Sequence, residues 1–72
     1  MTVNEFIKKL RDLGISEHLV CFNDSISDDV FFVNESYGKF TVGYRERGIS
    51  FDTKSFDSLD EALDYLLNVL ID

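Results

Sequence analysis

Residues 39–56 read KFTVGYRERGISFDTKSF, and this stretch decides the fold. Apolar and polar side chains alternate along residues 39–45, as they do in a strand with one buried face. The alternation places Phe40, Val42 and Tyr44 together on that face. We therefore expect a half-buried strand here.

A second strand follows after a short turn. Glu46, Arg47 and Gly48 are predicted to form a three-residue hairpin loop, with Gly48 in the left-handed conformation. The next strand is predicted over residues 49–55. Its strict alternation gives an apolar face with Ile49, Phe51 and Thr53, and a polar face with Ser50, Asp52 and Lys54.

An amphipathic helix is predicted before the strands, over residues 3–13. Its apolar residues recur every three or four positions, as one buried helix face requires. Thr2 and Glu5 have the spacing of a capping box. Gly14 suits the left-handed position that follows the last turn of a helix.

A second helix is predicted after the hairpin. Ser58 and Glu61 repeat the capping-box spacing. The apolar stripe that follows is broad and has helical periodicity. It consists of Leu59, Ala62, Leu63, Leu66, Leu67 and Leu70.

Two more strands are predicted between the first helix and the hairpin. Residues 19–22 form a short apolar run, and residues 29–35 contain four consecutive β-branched or aromatic side chains. If Val30 and Phe32 faced the helices, Phe31 and Val33 would form an apolar patch on the opposite face of the sheet. The order of elements predicts a single α+β domain, residues 1–72, in which an antiparallel sheet of three or four strands carries both helices on one face.

The composition narrows the class of protein. With 72 residues the chain has room for one domain, and 44% hydrophobic content supports a folded core despite a net charge of −7. A single cysteine excludes an internal disulfide or a cysteine-rich zinc site, which favours a reducing cytoplasm. No signal peptide or membrane span is expected.

The charge is clustered along the chain. Residues 17–35 and residues 57–72 each carry five acidic side chains and no basic one, whereas residues 36–56 carry four basic and two acidic ones. Such clusters repel nucleic acid and anionic membranes and attract basic protein surfaces. The alternative explanation is that the acids stabilise helix starts and keep the protein soluble.

The residues that enzymes need are scarce. His18 is the only histidine, and the four glycines are dispersed, so no phosphate-binding loop is present. Asp24, Asp28 and Asp29 lack the spacing and the internal glycine of a calcium-binding loop. We expect no catalytic activity, no metal site and no cofactor.

Residues 40–67, FTVGYRERGISFDTKSFDSLDEALDYLL, carry a resemblance to a known family. This stretch resembles the C-terminal half of small bacterial immunity proteins from polymorphic-toxin and contact-dependent growth inhibition systems. The matching features are an aromatic strand, a Glu-Arg-Gly turn, a strand that ends on phenylalanine, an acidic cap and a Glu-Ala helix. The residues are Tyr44, Glu46, Arg47, Gly48, Phe56, Asp57, Glu61 and Ala62.

The resemblance implies an inhibitor that binds and neutralises a cognate toxin, often a nuclease domain, which is basic because it binds phosphate. The charge pattern favours the same kind of partner. The candidate partner-binding residues are Asp24, Asp28, Asp29, Glu35, Tyr37, Glu46, Arg47, Asp60, Glu61 and Asp64, with Tyr37 or Phe31 as an aromatic anchor. For Arg47, the alternative is an ion pair with a helix carboxylate.

Two other functions fit the same sequence. One is a phage-type mimic of nucleic acid that inhibits a defence nuclease, and it would use the same acidic clusters. The other is a homodimeric structural or regulatory subunit that uses the exposed face of the sheet. None of the three involves direct binding of nucleic acid or membrane.

Overall fold

A computed structural model describes residues 1–23 and 28–71. Its elements in chain order are α1 (Val3–Asp12), a 3-10 turn (Glu17–Leu19), β1 (Val20–Phe22), β2 (Val30–Ser36), β3 (Lys39–Glu46), β4 (Ile49–Phe56) and α2 (Leu59–Ile71). The four strands form one mixed sheet, and the two helices pack against one face of it. The predicted α+β class is confirmed.

The strands lie in the sheet in sequence order, β1-β2-β3-β4. β2, β3 and β4 pair antiparallel, as expected. β1 differs, because it lies parallel to β2, with Val20 opposite Phe31 and Phe22 opposite Val33. Parallel neighbours usually need a long crossover, but a strand of only three residues needs a return path of just a few residues.

The core lies between the sheet and the helices. Phe6 and Leu10 of α1 and Leu63 and Leu66 of α2 are fully buried there. Val33 and Val42 of the central strands are also buried in this cluster. These positions are the apolar stripes and alternating strand positions of the sequence, so the patterning places the core correctly.

α1 begins and ends where its sequence signals predict. The Thr2 hydroxyl accepts a hydrogen bond from the backbone of Glu5 at 3.2 Å, and the Glu5 carboxylate accepts one from the Thr2 backbone at 3.1 Å. This reciprocal pair satisfies two amides that have no partner inside the helix. At the other end, Gly14 has φ +75° and terminates the helix.

Both hairpins turn through two residues. Tyr37 and Gly38 have positive φ, as do Arg47 and Gly48, which is the backbone of a type I′ turn. The three-residue loop predicted at residues 46–48 is therefore wrong by one residue, because Glu46 still pairs with Ile49 in the β3–β4 ladder. The type I′ turn matches the twist of the strands better than a wider loop.

A bulge in β4 changes which side chains share a face. Tyr44 is paired with Phe51 and Val42 with Lys54, so two residues of β4 lie opposite Gly43 alone. Asp52 takes φ 52° at this point. The alternation predicted for residues 49–55 is wrong beyond Asp52, because the extra residue reverses the faces of those that follow.

The face of the sheet away from the helices carries Phe32 and Arg45. Phe32 is only 3% exposed, and the Arg45 guanidinium carbon lies 4.8 Å from its ring centroid. Phe31 and Val33 face the helices instead, which answers the question that the sequence left open for β2. Phe31 contacts Tyr44 edge to face at 4.9 Å between ring centroids.

Gly43 makes room for the Phe32 ring. A methyl group at position 43 would lie 2.8 Å from Cζ of Phe32 and 2.9 Å from Cγ2 of Thr53. We expect Gly43→Ala to destabilise the domain by about 1 to 3 kcal/mol, because the buried ring must move. Urea denaturation measures this loss.

The control for this steric explanation is a double-mutant cycle with Phe32→Leu, which shortens the side chain that is in the way. The double variant is expected to lose less stability than the sum of the two single variants. Additive losses would contradict the proposed clash.

The capping box of α1 makes the stability of the folded domain depend on pH. The backbone hydrogen bond from Thr2, followed by that from its hydroxyl, lowers the pKa of Glu5 below its ordinary value of 4.5. A carboxyl group with a lowered pKa stabilises the folded state above its unfolded pKa, and this contribution is lost as the pH falls through the folded pKa. We expect Glu5→Gln to flatten the loss of stability below pH 4.5.

Glu61→Gln is the matched control, measured in the same acid titration by circular dichroism. Glu61 occupies the equivalent position in α2, where its own amide donates to the Ser58 hydroxyl at 3.2 Å. Within the described residues its carboxylate does not return the hydrogen bond, so the second predicted capping box is only half formed. A similar flattening in both variants would argue against a specific effect at Thr2.

Candidate partner-binding surface

The two hairpin turns define opposite ends of the sheet. The turn at Tyr37 and Gly38 lies at the end where β4 stops and α2 starts, as the ion pair between Lys39 and Asp57 shows. The N-terminal ammonium pairs with Asp60, so α1 starts at this end as well. We call this the helix-start end, and we call the end with the turn at Arg47 and Gly48 the far end.

Three of the predicted acids lie on the solvent side of α2. Asp60, Glu61 and Asp64 are exposed, whereas Leu63 and Leu66 between and beyond them are buried. Positions 60 and 64 are one turn apart, and position 61 lies beside them on the same side of the helix. The prediction that these acids form one cluster is consistent with the geometry of α2.

Tyr37 and Glu35 belong to the same end of the molecule. Tyr37 is fully exposed at the tip of the β2–β3 turn. Glu35 is exposed near the end of β2, and its amide donates a hydrogen bond to Oδ1 of Asn23 at 2.9 Å. Glu35 also borders a small cavity of about 150 Å³ that is lined in addition by Leu59, the first residue of α2. The sequence did not indicate that these residues lie near the start of α2.

The other predicted residues lie at the far end. Asp28 accepts a hydrogen bond from the Gly48 amide at 2.9 Å, so it holds the β3–β4 turn against the start of β2. Asp29 is exposed with φ 58°, and Glu46 and Arg47 are exposed at the turn. Asp24 lies outside the described residues.

Arg47 does not pair with a helix carboxylate within the part of the chain that the structure describes. The turn is held by Asp28 through the backbone instead. The structural alternative for Arg47 is therefore wrong, because this residue is exposed at the far end of the sheet and no helix carboxylate among the described residues lies within ion-pairing distance of it.

The two acidic clusters do not merge into one surface. β3 spans the whole distance between the hairpin turns with eight residues, which corresponds to roughly 23 Å. A flat partner would contact one end or span both. The sequence could separate the clusters along the chain but could not measure the space between them.

The acids of the helix-start end differ in how they are neutralised. Asp57 pairs with Lys39, and Asp60 pairs with the N-terminal ammonium. Within the described residues, Glu61 and Asp64 form no ion pair. They are like charges three positions apart on one helix, and Asp60 adds a third, so they repel one another.

A cavity that the sequence did not predict lies between α2 and β4. Its volume is about 410 Å³, and its walls include the aromatic rings of Phe31, Tyr44 and Tyr65. Asp52 and Lys54 border it, and the ammonium of Lys54 lies 5.0 Å from the ring centroid of Tyr65. The bulge brings Lys54 to this side, so the strict alternation assumed for β4 concealed the arrangement.

Comparison with protein-family models, with curated proteins and with solved structures finds no match. Among residues 1–23 and 28–71, no group of three or more His, Cys, Asp or Glu side chains is placed to hold a metal ion. Neither helix in this part of the chain is long and apolar enough to cross a membrane.

Asp28 offers a test that separates its hydrogen bond from its charge. We expect Asp28→Ala to cost about 1 kcal/mol of stability, because the Gly48 amide loses its acceptor. Asp28→Asn keeps an oxygen acceptor and is expected to retain most of that stability. Thermal denaturation of the two variants measures the difference, and equal losses would show that the charge matters instead.

Proposed function

We propose that this domain is an immunity protein that binds and neutralises a basic toxin, such as a nuclease domain, through the helix-start end. The resemblance of residues 40–67 to immunity proteins supports this proposal, and so does the placement of the exposed acids. The toxin is the partner, and the inhibitor itself performs no catalysis. It acts in the cytoplasm, where a nuclease toxin meets its substrate.

The observation that carries the proposal is the unbalanced charge at Glu61 and Asp64. Asp60 and Glu61 lie in the first turn of α2, where the helix dipole favours acids. Asp64 lies in the second turn, beyond the reach of that effect, and aspartate is a poor helix former. A basic partner would explain Asp64, because the lysine and arginine side chains of the partner would relieve the repulsion between the acids of α2.

Tyr37 supplies the aromatic anchor in this proposal. It is fully exposed at the tip of a two-residue type I′ turn, at the same end of the sheet as the start of α2. Exposed tyrosines in fixed positions are common among the residues that contribute most to binding. Phe31 is unsuitable, because it faces the helices and packs against Tyr44.

The test begins with capture of a tagged copy of the protein from its native host at low salt, followed by elution at high salt and mass spectrometry. A basic toxin domain in the eluate is the expected result. The same capture with a variant that carries Glu61→Gln and Asp64→Asn is expected to recover much less of it. With the purified partner, the association rate is expected to fall about three- to tenfold at low salt and to depend less on salt.

The matched control carries Asp29→Asn and Glu46→Gln at the far end. Each double variant removes two acidic charges, so net charge alone predicts equal effects. We expect the control to bind nearly as well as the parent protein. Equal weakening by both variants would show that overall charge, rather than the helix-start end, attracts the partner.

The stability of the unbound domain gives an independent test of the role of Asp64. Asp64→Asn is expected to stabilise the unbound domain by about 0.3 kcal/mol, because it removes repulsion with its two acidic neighbours. The same variant is expected to bind the partner more weakly. Stability and binding that change in the same direction would argue for a structural role of Asp64.

A further inference from the structure

The β3–β4 hairpin is the basic part of an acidic protein. Lys39, Arg45, Arg47 and Lys54 give residues 36–56 a net charge of +2 against Glu46 and Asp52, whereas the chain as a whole carries −7. The segments on either side, residues 17–35 and residues 57–72, contain acidic residues but no lysine or arginine. A two-fold contact along the hairpin places two segments of net charge +2 together, whereas a contact through either acidic segment places two segments of net charge −5 together, so repulsion is weakest at the hairpin.

The same hairpin exposes apolar side chains on its helix-facing side. Ile49 is 60% exposed and Phe51 is 45% exposed, although both are large hydrophobic residues. Val69 of α2, 36% exposed, borders the cavity between α2 and β4. An apolar patch with a polar rim is typical of an interaction surface.

The rim of the cavity carries one acid and one base. Asp52 and Lys54 both border it, and neither forms an ion pair with the described residues. Lys54 would repel a basic partner, and Asp52 would repel an acidic one. Two copies related by a two-fold axis near Thr53 would place Asp52 of each beside Lys54 of the other, so the rim complements itself.

We propose that β4 and the adjoining cavity form a two-fold interface between two copies of this chain. The bulge at Asp52 interrupts the edge of β4, so side chains rather than a continuous ladder of hydrogen bonds make the contact. Tyr65 and Val69 lie on the side of α2 that faces this interface. Asp60 lies on the side of α2 that meets the N-terminus, away from Tyr65 and Val69, so this acid of each copy stays away from the other copy.

Sedimentation velocity over a range of protein concentrations tests the proposal. The parent protein is expected to form dimers whose fraction rises with concentration. Asp52→Lys and Lys54→Asp each place two pairs of like charges across the interface, so each is expected to weaken dimerisation at least about tenfold at low salt. Circular dichroism verifies that both variants are folded.

Mixing the two variants is the decisive step. One chain then carries lysine at both positions and the other carries aspartate at both, so every pair across the two-fold axis is attractive. We expect the mixture to form a heterodimer that is tighter than either variant alone. Asp12→Lys, which reverses an exposed charge on α1, is the control and should leave dimerisation unchanged or slightly stronger.

Two results would overturn the proposal. A parent protein that stays monomeric at all concentrations excludes the interface, and a mixture that associates no better than its components places any dimer on another face. The basic partner is absent from this experiment, so its result bears on self-association alone and leaves the binding proposed for the helix-start end to its own test.

Discussion

Two helices of ten and thirteen residues are all that the described chain offers to cover a four-stranded sheet. They cover one face, and they bury Phe6, Leu10, Leu63 and Leu66 against it. A domain of this size has no third layer, so the other face must be protected by its own side chains. On that face the Arg45 guanidinium covers the Phe32 ring, and the ring packs closely against Gly43. These contacts between residues of the sheet shield the face from solvent.

The close approach of Phe32 to Gly43 bears on the edge of the sheet as well. Residue 43 has no side chain, and it lies opposite the two bulged residues of β4. The bulge turns Lys54 toward Tyr65 and leaves Ile49 and Phe51 on the helix-facing side. One irregular position thus shapes the cavity and places the pair of opposite charges at its rim, beside the apolar residues that precede it in β4. It also interrupts an edge strand of eight residues, which protects the protein from uncontrolled strand pairing.

Much of this fold was predictable from local patterns. The helix caps at Thr2 and Gly14, the apolar stripe of α2 and the alternation in β3 depend on neighbours in sequence, and the structure confirms them. The direction of β1 was not predictable, because pairing between distant segments leaves no local periodicity. The bulge at Asp52 was missed for a related reason, since it is defined by the register against Gly43 on another strand.

The candidate site shows the same division. The sequence identified which acids cluster along the chain, and α2 confirms that positions 60, 61 and 64 share its exposed side. It could not show that Asp28 holds the β3–β4 turn, or that Tyr37 lies at the end where both helices start. A charge is easy to find in a sequence, whereas its partner is a property of the folded chain.

The two proposed surfaces lie next to each other on α2 and meet at one residue. Asp60 lies beside the N-terminus, away from Tyr65 and Val69, which line the cavity beside β4. Glu61 is one turn before Tyr65, so it borders both surfaces. Two copies joined along β4 would leave both acidic ends free and would present them in a fixed two-fold arrangement. Repulsion between those ends limits how tightly two chains of net charge −7 associate, and a basic partner that neutralises them lowers this cost. Partner binding and self-association should therefore favour each other, which is the reciprocity that any two linked binding equilibria obey.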